Sequence, residues 1–151
     1  MSEAELADNL NRLLATESRG LLRFLEQLTP YLTSRTFKIW SDVQQIAKNT
    51  ADHARRLTEI LDRLELPVRT PSFDTAVANY HYARLETLLP ILIAETRRQV
   101  DAYGRAIELA SEEASVRSDL QRMLDENRGH LEKLERHADS LPEQTPPVTV
   151  V

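Results

Sequence analysis

Four residues of the kinds that bind metals or move protons stand where leucines are expected: Glu17, His53, Glu95 and His130. Each interrupts an apolar line that steps by three and four residues, the repeat of a helix face turned to a core. The first line runs Leu6, Leu10, Leu13, Glu17, Leu21, Phe24, Leu28, and the second Ile39, Val43, Ile46, Thr50, His53, Leu57, Ile60, Leu64. The third runs Leu85, Leu88, Leu92, Glu95, Gln99, Ala102, Ala106, Leu109, and the fourth Val116, Leu120, Met123, Asn127, His130, Leu134. The halves of the chain repeat this pattern: His53 follows Glu17 by 36 positions, and His130 follows Glu95 by 35. A small polar residue, Thr50 or Asn127, precedes each histidine by three.

A carboxylate in an apolar core is costly unless it is paired, hydrogen-bonded or bound to a metal. Two chemistries answer that requirement. In one, Glu17 accepts a bond from His53 and Glu95 from His130, with Thr50 and Asn127 completing the network. In the other, a metal lies between the helices, where carboxylate oxygen and imidazole nitrogen suit iron, zinc or manganese. Asn49 and Glu126 lie four residues before the histidines, within a turn of the site, and Glu126 is the more capable ligand. His81 and His137 read as surface or capping histidines. Arg55-Arg56 and Arg97-Arg98 read as surface pairs, unless one member reaches a core carboxylate from its flank.

The elements that must position these groups are four long amphipathic helices. The first is expected from Ser2, which has capping-box spacing to Glu5, to Thr29-Pro30. TSRT, 33–36, supplies a linker and a cap for a second helix from Phe37 to Leu64. LELPVRTPSFD, 64–74, carries two prolines and is long enough to cross a bundle, so the third helix is expected to begin between Asp74 and Tyr80. Pro90 removes one backbone bond there and predicts a bend one turn before Glu95. Ser111 is the expected cap of the fourth helix. The fold class is therefore all-α, a four-helix bundle with one long crossover between helices two and three. Residues 1–140 form the bundle and 141–151, with Pro142, Pro146 and Pro147, a flexible tail.

Composition bounds the function. A chain of 151 residues suits one domain. The absence of cysteine excludes disulfides and thiolate chemistry. The net charge is −5 with scattered basic residues, which argues against a nucleic-acid surface. MSEAELADN lacks the basic and apolar regions of a signal peptide, and LLPILIA, 88–94, is too short to span a membrane. A cytoplasmic location is expected.

Three segments carry a family resemblance. NLNRLLATESRGLLRF (9–24), DHARRLTEILDRLELP (52–67) and DENRGHLEKLERH (125–137) resemble the ferritin-like superfamily, and bacterioferritin most. The similarity covers residues 4 to about 139. In that family single glutamates on helices one and three, with a Glu-x-x-His motif on each of helices two and four, bind two irons. The resemblance therefore implies Glu17, His53, Glu95 and His130 as ligands. It also shows a departure, because the bridging glutamates are replaced by Thr50 and Asn127. Two close divalent ions would be offset by only two carboxylates, so a single ion is better balanced than two, with Glu126 as an added ligand. The loss of both bridges argues against a two-iron ferroxidase. The family's helix-one tyrosine is Phe24 here, and its haem-binding methionine is Ala51, so no haem is expected. The family also pairs through helices one and two, so a homodimer is expected, with Trp40 and Tyr31 at its interface or in a local core. The competing reading is a non-catalytic bundle that acts through its surface without metal.

Overall fold

Rods form wherever the three-four apolar repeat runs, and the first rod is broken in two. The computed structural model describes residues 3–27, 29–69 and 83–141. Within them α1 spans Glu3–Arg19, α2 Leu21–Gln27, α3 Phe37–Arg63, α4 Leu85–Leu109 and α5 Ala114–Ser140. The fold is an all-α bundle of four rods, α1 and α2 together making the first, with the long crossover between α3 and α4. The first rod packs on α3, α1 also touches α4, α4 packs along α5, and α3 meets α5. None of these helices is long and apolar enough to cross a membrane.

Three boundaries differ from the expected ones. A continuous first helix is replaced by α1 and α2 with a bend at Gly20. The third rod starts at Leu85 rather than between 74 and 80, because Arg84 is extended (φ −75°, ψ 150°). Its neighbours are used elsewhere: Tyr31 N–H donates to the Ala83 carbonyl at 3.2 Å, and Leu85 N–H to the Tyr31 carbonyl at 3.3 Å. Glu113, not Ser111, is the N-cap of α5, and it makes no side-chain capping bond. The Ser2 cap, Leu28, the stretch 74–80, His81 and the tail from 142 lie outside the described residues.

The core is divided. One apolar cluster joins α2 to the first halves of α3 and α4 and to Leu134 of α5. The other joins α1 to the second halves of α3 and α4 and the first half of α5, around Leu10, Leu57, Tyr103 and Leu120. Trp40 is buried in the first cluster, whereas Tyr31 is exposed under the Arg84 guanidinium, 5.6 Å from the ring centre. Between the clusters lie the positions that break the apolar lines.

Candidate metal centre

His53 is fully buried on α3, with both ring nitrogens facing carboxylates. Nδ1 is 3.0 Å from Glu17 Oε2 on α1, and Nε2 is 2.5 Å from Glu126 Oε2 on α5. Only an imidazolium donates from both nitrogens, so the ring acts as a cation between two acids. Burial pulls the His53 pKa down, but the bonds and charges of Glu17 and then Glu126 outweigh it and leave it above the ordinary value. Partial burial lifts Glu126, and the bond and charge of His53, with help from Asn49 and Arg56, reverse that and hold it low. Glu17 is buried, and its other oxygen accepts from Gln99 Nε2 on α4 at 2.8 Å. The same Gln99 nitrogen donates to the Leu13 carbonyl at 3.1 Å, tying α4 to α1.

The second Glu–His pair does not form. Glu95 turns to the break in the first rod and accepts from Leu21 N–H, at 3.2 Å to Oε1 and 3.4 Å to Oε2. Burial raises its pKa, the Leu21 bond and the Arg98 charge oppose this, and the charge of Glu17 adds to it. Arg98 is exposed and acts on Glu95 through its charge, without an ion pair between them among the described residues. His130 stacks on His53, ring centres 6.2 Å apart and planes 29° from parallel. Its buried Nδ1 has no hydrogen-bond partner. Burial, with the charges of His53 and Lys133 against the opposing Glu126, brings its pKa down to about 4.

The two residues at the bridging positions serve their own helices. Thr50 donates to the Ala47 carbonyl at 2.7 Å and Asn127 to the Met123 carbonyl at 3.0 Å. Asn127 also stands 3.4 Å from His53 Nδ1, while Thr50 adds nothing to the network expected of it. His137, expected at the surface or as a cap, bonds Asp42 Oδ2 on α3 at 2.7 Å.

Three contributors have no role in the sequence reading. Gln99 sat on its line without an assigned role. Tyr103 is fully buried, 6.3 Å from the His53 ring centre, with burial and the charges of Glu17 and Glu126 pushing its pKa well up. The buried face of α4 follows Leu92, Thr96, Gln99, Tyr103 and Ala106, so Glu95 lies beside it rather than on it. Stepping four rather than three from Gln99 reaches Tyr103 instead of Ala102. Gly20, the third, was legible as an isolated glycine inside a helical pattern.

As donors, three carboxylates and two imidazoles from four rods suit a divalent transition ion, and an unpaired buried imidazole nitrogen fits the same chemistry. Among the described residues, however, no group of three His, Asp or Glu side chains is arranged to hold a metal ion. Ligation by His53 requires its bonds to Glu17 and Glu126 to open. No protein-family model matches the chain, and no curated protein or solved structure matches it either.

Proposed function

We propose that this chain is a divergent, bacterioferritin-like member of the ferritin-like group that takes up one divalent ion, iron, zinc or manganese, in its polar layer. Glu17, His53, Glu95, Glu126 and His130 form the ligand pool. One observation carries the reading: all five come from the layer between the two apolar clusters, and one of them keeps a buried nitrogen without a partner. A divalent ion there would replace the His53 proton as counter-charge to Glu17 and Glu126. Metal uptake therefore releases protons and weakens in acid. Thr50 and Asn127 supply no bridging carboxylate, which favours one ion over two and weighs against a two-iron ferroxidase.

Metal analysis after anaerobic loading tests this. We expect about one ion per chain at neutral pH, the single-site stoichiometry, lost when Glu17→Ala and His53→Ala are combined. Equal metal content in that double variant would sink the proposal. Oxygen uptake on adding ferrous iron then separates an oxidase from a binder. The same reading includes a homodimer through the first two rods, which would cover the exposed Tyr31 and Phe37; light scattering of the full chain checks it.

A second reading has its own support. His53 already satisfies Glu17 and Glu126 as a cation, and Gln99 satisfies the remaining Glu17 oxygen. That half of the layer is complete without an ion, as in a non-catalytic bundle acting through its surface. Wild-type protein that binds no metal would favour it.

A further inference from the structure

Gly20 closes one helix and opens the next. Its N–H completes α1 on the Thr16 carbonyl at 2.9 Å, and its carbonyl accepts from Arg23 N–H at 3.1 Å and Phe24 N–H at 3.2 Å. In an unbroken helix the intervening Leu21 N–H would bond to the Glu17 carbonyl. Here it points to the Glu95 carboxylate instead. A Cβ at position 20 would run into the Thr16 carbonyl oxygen and lie 2.6 Å from Glu95 Oε1, nearer than a side chain tolerates. Gly20 has no positive φ. A Cβ there meets the Thr16 backbone carbonyl first, and the same bare backbone is what lets the Glu95 carboxylate come in.

We propose that Gly20 is a positioning residue for the metal centre: its break in the first rod aims Leu21 N–H at Glu95 and holds that carboxylate ready to ligate. The inference rests on the one-ion reading above. A ligating carboxylate depends on an outer hydrogen bond for its orientation, and loss of such a partner lowers metal affinity. Alanine at position 20 both crowds Glu95 and favours an unbroken helix, which returns Leu21 N–H to the Glu17 carbonyl. Glu95 then loses its donor and its place together.

The test is an anaerobic cobalt(II) titration of the full chain, read by visible absorption, on wild type, Gly20→Ala, Glu95→Ala and the double variant. We expect Gly20→Ala to weaken cobalt binding about 10- to 100-fold, as for loss of an outer partner, and to change the cobalt spectrum. It should add no further loss once Glu95 is alanine. Wild-type affinity and spectrum in Gly20→Ala, or additive losses in the double variant, overturn the inference and leave the metal reading standing. No cobalt binding by wild type overturns that reading and this inference with it. Should Gly20→Ala not fold, the Leu21 amide proton is read by NMR in Glu95→Ala, where Gly20 is intact. It should move upfield and exchange faster, and an unchanged amide overturns the inference.

Discussion

His130 and His53 are stacked neighbours with opposite titrations. An imidazole in the unfolded chain takes its proton near pH 6.5, whereas folded His130 does so only at about 4. Between those values the unfolded chain binds the extra proton, so acid favours unfolding. His53 runs the other way. Its pKa is raised, so its contribution is fully present below 6.5 and fades as the pH climbs through its folded value. For metal-free protein we expect stability to fall from pH 7 to pH 4, with His130 responsible for roughly 3 kcal/mol of the loss. His130→Leu should flatten that slope in urea denaturation. An unchanged slope would mean that the His130 ring is not held neutral by its surroundings.

The helix ends show where local chemistry and geometry disagree. The C-terminus of α3 closes with Leu66 N–H on the Leu61 carbonyl at 2.9 Å and Glu65 N–H on the Asp62 carbonyl at 3.0 Å. That pattern needs a left-handed residue between them, and Glu65 takes the place with φ 57°. Glycine is the usual occupant because its missing Cβ removes the steric penalty. Glu65→Gly is expected to stabilise the fold by up to ~1 kcal/mol, read as a higher denaturation midpoint; destabilisation would mean that the Glu65 side chain holds the turn. The same helix shows what repetition alone predicts well. Its line from Ile39 to Ile60 is buried throughout, polar Thr50 and His53 included.

At the scale of the whole molecule, a polar layer separates two apolar halves that could otherwise have met. Removing one partner and replacing both are different experiments. His53→Ala strands the buried Glu17 charge and should cost about 3–5 kcal/mol. Glu17→Leu with His53→Phe removes the pair, and Glu126, one-third exposed, can turn to water. That double variant should match or exceed wild-type stability by about 1–4 kcal/mol while losing metal. Thermal melts and metal content measured together test this. A double variant as unstable as His53→Ala would show that the pair, not the stranded charge, carries the stability.

The amino-acid sequence determined the four rods, the long crossover, and which residue types would face one another at mid-height. A three-four repeat fixes the angle of a side chain about its own helix axis, and burying an apolar stripe fixes the rest. The tertiary structure decided the partners. Glu17 met His53 as the repeat suggested, but Glu126 took the other imidazole nitrogen, Glu95 went to a backbone amide, and His130 kept a nitrogen unpaired. Periodicity cannot separate neighbouring positions such as Ala102 and Tyr103, nor say where a rod will break. Those outcomes depend on the rotation and offset of one rod against another, which the contacts of all four set together.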